Sequence, residues 1–196
     1  MNSQKLIESI KAIVPLEAEE EKLISSYLTG RRIRKRQFLL HENQIAKTAA
    51  FVLSGCLRSY SIDENGFEHV LQFAPVNWWV SDMYSFISQK ESRLNIDAIL
   101  DSEVLLFSRE NQLELFDKVP KTERYFRILT EKSLVSSHQR LLDNLSIPAR
   151  KRYEKFCAVY PSLINKLPQK QIASFIGITP EFLSKIRGEL HNRKKS

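Results

Sequence analysis

Residues 169–188 read QKQIASFIGITPEFLSKIRG, two short helix-forming runs separated by a glycine. Ala173 is small where two helices would cross closely, and Gly177 can take the left-handed backbone conformation that a tight turn between them requires. Ile172, Ile176, Ile178, Leu183 and Ile186 supply a shared interior. Thr179 is a good N-cap and Pro180 suits the first helical position, so the second helix starts abruptly at Glu181. This is the layout of a helix-turn-helix. Opposite Leu183 and Ile186 lie Glu181, Ser184, Lys185 and Gly188, the face that would enter a major groove. Lys185 can donate to guanine O6 and N7, Glu181 can accept from cytosine N4, and Ser184 is short enough to reach a phosphate. Thr179, Pro180, Arg187, Gln169 and Lys170 complete the candidate DNA contacts. Glu181 also has a reason to be there without DNA, because an acid at a helix N-terminus is stabilised by the macrodipole.

The charge distribution points the same way. Residues 147–196 carry 11 Lys/Arg against 3 Asp/Glu, whereas residues 1–146 carry 19 against 20, so the net charge of +7 belongs to the C-terminal module. Such a module suits a polyanion partner, since cations that neutralise phosphates release condensed counterions. The terminal Arg193, Lys194 and Lys195 read equally well as a solvated basic tail.

Toward the N-terminus the texture changes. Leu6, Ile7, Ile10, Ile13 and Val14, then Leu23, Ile24, Tyr27 and Leu28 after an acidic run, indicate two short helices. A strand-rich region follows. Its clearest part is FVLSGCLRSYSIDENGFEHVLQF at 51–73, where Asp63 to Gly66 form a hairpin-turn signal, and it continues through Asn95 to Leu100 and Val104 to Phe107. From Pro120 a long helix is expected, with Ile128, Val135 and Leu142 seven residues apart and Leu134 and Leu141 in the neighbouring register. That stripe suits packing against a second helix, although an amphipathic helix lying on its own domain would show the same pattern.

Composition limits the remaining possibilities. Hydrophobic residues at 42% and charged residues at 27% describe an ordinary globular chain. Neither a signal peptide nor a membrane span is expected, so the chain reads as cytoplasmic. Cys56 and Cys157, a hundred residues apart, suggest small buried side chains and no disulfide scaffold. His41, His69, His138 and His191 lack metal-site spacing, so neither metal nor cofactor is expected. No nucleophile elbow, phosphate loop, metal motif or paired carboxylate stands in a convincing sequence context, which argues against an enzyme.

With these residues in hand, nearly the whole chain resembles the Crp/Fnr family of bacterial transcription regulators. FLLHENQIAKTAAFVLSGCLRSYSIDENGFEHVLQF looks like the early strands of that family's cyclic-nucleotide-binding-type β-roll, Thr122 to Asn144 is similar to its dimerisation helix, and LPQKQIASFIGITPEFLSKIRGEL to its DNA-binding element. The resemblance implies an α+β fold with a β-roll sensor and N-terminal helices over 1–118, a dimerisation helix over 119–146 and a helix-turn-helix domain over 147–196. It implies a homodimer, seamed by Ile128, Val135 and Leu142, whose paired recognition helices read a two-fold symmetric site in double-stranded DNA. RNA polymerase, recruited or obstructed, is a further implied partner, and an unknown small-molecule effector is allowed for.

Departures from the family pattern are equally informative. Nucleotide-binding members carry a Gly-Glu pair and an Arg followed by a small residue, which hold the ribose and the cyclic phosphate. Alignment on DSEVLLF at 101–107 puts Ser81 and Asp82 at the first pair, and Ser92 and Arg93 at the second, with Arg93 displaced by one residue. On a strand such a shift turns the side chain to the opposite face, so tight cyclic-AMP binding is not expected. Trp79, Ser81, Asp82 and Arg93 stand as the candidate effector pocket. Asp82 reads alternatively as a helix cap, Arg93 as a solvated loop charge, and Trp78 and Trp79 as packing. The family's DNA-contacting β-hairpin wing has little or no counterpart, since only six residues follow Leu190, and the basic tail is its candidate substitute. The competing reading is a cyclic-nucleotide or small-molecule sensor acting through a protein partner.

Overall fold

The computed structural model describes residues 2–193, and the side chains of 2–190. Two compact units are present: Met1–Ile62 with Leu71–Glu131, and Asp63–Val70 with Lys132–Ser196.

The first unit opens with helices α1 (Gln4–Lys11) and α2 (Ala18–Ser26). A capping box fixes the start of α2, Glu17 and Glu20 each satisfying the other's backbone N–H. Strands β1 (Leu28–Ile33), β2 (Phe38–Leu40), β3 (Thr48–Ile62), β4 (Glu68–Pro75), β5 (Trp79–Val80) and β6 (Asn95–Ser108) form one sheet with the path β1-β6-β3-β4, β2 joining β6 and β5 joining β3. The long strands β3 and β6 pair antiparallel from Thr48↔Ser108 to Tyr60↔Asn95. Side chains alternate along them: Ala50, Val52 and Val104 enter one core, while Phe51, Leu53, Leu105 and Phe107 enter another beneath the helices. Mid-ladder the register shifts around Gly55, whose φ of 83° is a left-handed conformation and whose missing Cβ would strike Ser102 Oγ and the Asp101 carbonyl. Across the same pair, Arg58 donates to both carboxylate oxygens of Asp97, at 2.8 and 3.0 Å, with both side chains largely buried.

Two helices in this unit escaped the sequence reading. The first, α3 (Met83–Ser88), is a short turn capped by Asp82, and α4 (Arg109–Lys118) follows β6 directly, with Ser108 Oγ accepting the Asn111 N–H as its N-cap. The start of α5 (Lys121–Ser146) closes the helical core, burying Thr122 and Tyr125.

Farther along, α5 belongs to the second unit, and its apolar stripe is open: Leu134, Val135, Leu141, Leu142 and Leu145 are 55–78% exposed, while Ile128, nearer the start, is half-buried. After Pro148 come α6 (Ala149–Val159), α7 (Gln169–Ile176) and α8 (Pro180–Arg193). Tyr153, Phe156, Tyr160, Leu163, Leu167, Ile172, Ala173, Ile176, Leu183 and Ile186 are buried and form the core of these helices. Phe175 packs edge to face on Phe156 and on Tyr160 at centroid distances of 5.7 Å, and Phe156 and Tyr160 meet tilted at 5.2 Å. Lys155 pairs with both oxygens of Asp143 at 2.7 Å, tying α6 to the end of α5. Ser174 on α7 joins the same unit to residues 68–70, donating to the Glu68 carbonyl and accepting from the Val70 N–H.

The fold is α+β, with an antiparallel sheet core followed by a long helix and C-terminal helices. Of the two cysteines, Cys56 is fully buried, and burial pushes its thiol up to about 12. Cys157, expected to be buried as well, is only half-buried, because its position on α6 falls beside the buried face of Tyr153 and Phe156.

Candidate nucleic-acid interface

The turn between α7 and α8 is made by Gly177 at φ 68°, ψ 46°, a left-handed C-cap whose N–H returns to the carbonyls of Ala173 and Ser174. The Ile178 N–H also reaches the Ala173 carbonyl. Arg152 clamps this corner, donating through one nitrogen to the Asn144 carbonyl at the end of α5 and through another to the Gly177 carbonyl. Thr179 Oγ1 then accepts the Phe182 N–H at 3.2 Å, which fixes the first turn of α8.

That scaffold decides which side chains face out. Leu183 and Ile186 are at most 3% exposed, whereas Glu181, Ser184, Lys185 and Gly188 are exposed. At about 100° per residue those four positions span an arc of roughly 100° on the side away from the core. Thr179 and Pro180 are exposed at the start of α8, and Gln169 and Lys170 at the start of α7. Arg187 is half-buried on the flank, near Tyr153, and does not share the open face. Glu181 is partly engaged already: its own N–H and the Thr179 hydroxyl hold its carboxyl below the usual carboxylate range. The basic tail 194–196 and the side chains of His191 and Arg193 lie outside the described residues.

Phe182 was not singled out by sequence reasoning, yet it is 47% exposed on the same first turn. On a helical projection it falls between the two faces, about 60° from Lys185 and about 40° from Ile186, so spacing alone assigns it to neither.

The four effector-pocket candidates are brought near one another only in part. Asp82 caps α3, accepting the N–H groups of Tyr84 and Ser85, and its other oxygen receives the Ser92 hydroxyl at 2.6 Å. Ser81 donates to the Thr48 carbonyl. Trp79 instead packs into the helical core against Phe51, Phe107 and Phe126, its indole N–H donating to the Tyr125 hydroxyl at 3.1 Å. Arg93 is exposed, immediately after the buried Ser92. A shallow cavity of about 140 Å³ is lined by residues including Leu39, Leu40, Gln44, Lys47, Thr48 and Ile96, and none of the four candidates lines it.

The geometry defines a class: an antiparallel sheet domain of cyclic-nucleotide-binding type, followed by a long helix and a helix-turn-helix. Residues 30–119 match the family described as the cyclic nucleotide-binding domain. Among solved structures the chain is similar to FixK2 from Bradyrhizobium japonicum, with a TM-score of 0.75 at 20% identity over 85% of this chain and 86% of that one. It is similar also to a candidate transcriptional regulator of the Crp/Fnr family from Eubacterium rectale, TM-score 0.69, 19% identity, covering 91% and 85%. The catabolite activator protein of Thermus thermophilus gives a TM-score of 0.59 at 20% identity, covering 95% and 88%. No curated protein matches by sequence. The chain has the fold of these solved regulators, with the cyclic nucleotide-binding domain family matched over residues 30–119. No described helix is long and apolar enough to cross a membrane.

Proposed function

We propose that the protein is a dimeric, cytoplasmic transcription regulator, not an enzyme, which reads a two-fold symmetric operator in double-stranded DNA. One observation carries the reading: Glu181, Ser184 and Lys185 are exposed together on the first turns of α8, behind the left-handed Gly177 turn, in the half of the sequence that holds the net positive charge. A face that only packed against protein would not need a donor, an acceptor and a short hydroxyl side by side. Lys185 reads guanine, Ser184 a phosphate, and Gln169, Lys170, Thr179 and Pro180 approach the backbone. Glu181 divides its carboxylate between the start of α8 and a cytosine amine. The open stripe of α5 supports pairing with the same helix of a second copy, which would place two recognition helices about one helical turn apart on the duplex.

The β-roll does not hold cyclic AMP in this reading. Asp82 spends its carboxylate on α3 and Ser92, and Arg93 follows Ser92 on the exposed loop. The sensor is an orphan or answers an effector of another kind, and RNA polymerase is the partner recruited or obstructed.

The test is selection from a random duplex pool by purified protein without ligand. Enrichment of a palindrome is expected, and its loss in Lys185→Ala. Calorimetry with cyclic AMP should give no heat of binding, and micromolar binding abolished by Arg93→Ala would overturn the sensor reading.

A further inference from the structure

We propose that Phe182 reads the 5-methyl group of thymine in the major groove, an inference that rests on α8 being the DNA-reading helix. Phe182 is 47% exposed, while the other apolar residues of the same turns, Leu183 and Ile186, are at most 3% exposed. The half of its surface left in water forgoes the stabilisation that burial brings, and a second ligand could still cover it. Its backbone is held, however, because Thr179 Oγ1 accepts the Phe182 N–H at 3.2 Å and fixes the turn from which the ring projects. Side chains on a helix lean toward its N-terminus, and the N-terminal residues of a recognition helix are those that meet base edges. The ring therefore lies on the flank of the open face, about 60° round the helix from Lys185, at the end of α8 that approaches the bases.

The chemistry narrows the target. A phenyl ring offers neither donor nor acceptor, so it gains nothing from phosphate oxygens or from the polar edges of guanine, adenine and cytosine. The apolar group that the major groove presents is the thymine methyl. Phe182 thereby adds an apolar contact to the polar reading by Glu181 and Lys185, and the operator should carry a thymine at one fixed offset from the base that Lys185 contacts.

The experiment begins from a duplex selected by the full-length protein. Each thymine is replaced singly by uracil, which removes the methyl and leaves pairing intact, and binding is followed by fluorescence anisotropy. In the wild type one position per half-site should lose about fourfold in affinity, and both together about fifteenfold, the loss expected for one buried methyl at each. Phe182→Ala should bind more weakly, show no uracil effect at that position and keep the wild-type response elsewhere. Its thermal unfolding should match that of the wild type, since the ring is outside the core. A flat uracil scan of the wild type, or an unchanged scan in Phe182→Ala, overturns the role of Phe182 alone. If no duplex is enriched at all, the DNA reading of α8 fails and this inference fails with it.

Discussion

Replacing Val135 and Leu142 together by Asp should dissociate the proposed dimer. On the isolated chain these side chains are 67% and 56% exposed, amid Leu134, Leu141 and Leu145 at 55–78%. Fully burying a Val or Leu side chain is worth about 1.5–3 kcal/mol, so roughly 1–1.5 kcal/mol remains to be gained at each position when a second helix covers it. Two-fold symmetry counts each position twice, so the double substitution removes about 4–6 kcal/mol from association before any repulsion between the new carboxylates. At about 1.4 kcal/mol per decade, the dimer Kd should rise about 10³- to 10⁴-fold. Sedimentation equilibrium across a concentration series measures it directly. The protomer should keep its unfolding midpoint, because exposed positions of this kind shift stability by only about 0.5 kcal/mol. An unchanged Kd in a folded double variant would refute the seam and move any interface elsewhere on the chain.

Other outcomes follow from the packing of each unit. Asp97→Asn should cost about 3–5 kcal/mol in urea unfolding, because it removes the charge paired with the buried Arg58 guanidinium, and Arg58→Met with Asp97→Leu should recover much of the loss. Gly55→Ala should lower the melting temperature through about 1–3 kcal/mol of backbone strain, to which collision with Ser102 and Asp101 adds. Thr179→Val removes the cap of α8, at about 1 kcal/mol, and should let the Glu181 carboxyl titrate closer to its ordinary value by NMR. The sign is that of a depressed carboxylate: the stabilisation is present in full above the unfolded pKa of about 4.3 and fades as pH falls through the lower folded value, so the loss in the variant should not vary with pH near 7.

Much of the candidate interface was legible because its signals are local. Gly177, Thr179 and Pro180 punctuate the chain within four residues, and the spacing of Ile172, Ile176, Leu183 and Ile186 marks the buried side without reference to anything distant. The sensor region was less legible. Helix α3 is a single short turn whose cap, Asp82, is completed by Ser92 ten residues on, a contact no window of periodicity contains. Helix α4 carries charges on half of its positions and exposes Leu113, so its sequence lacks a clean apolar stripe. Trp79 could be read as pocket or packing until Tyr125, 46 residues away, appeared against its indole.

By itself, then, the sequence determined the broad succession of helices, strands and long helix, the helix-turn-helix with its outward face and the concentration of positive charge, because each follows from period, turn chemistry and composition over short spans. The tertiary structure decided which polar groups are already satisfied. Asp82 is taken by α3 and Ser92, Glu181 is partly held by Thr179, Arg187 is drawn to the flank, and Phe182 keeps about half of its surface in water. Hydrogen bonding and burial depend on neighbours that chain folding brings from far along the sequence, and for this reason the availability of a side chain, unlike its type, is settled only by the packed fold.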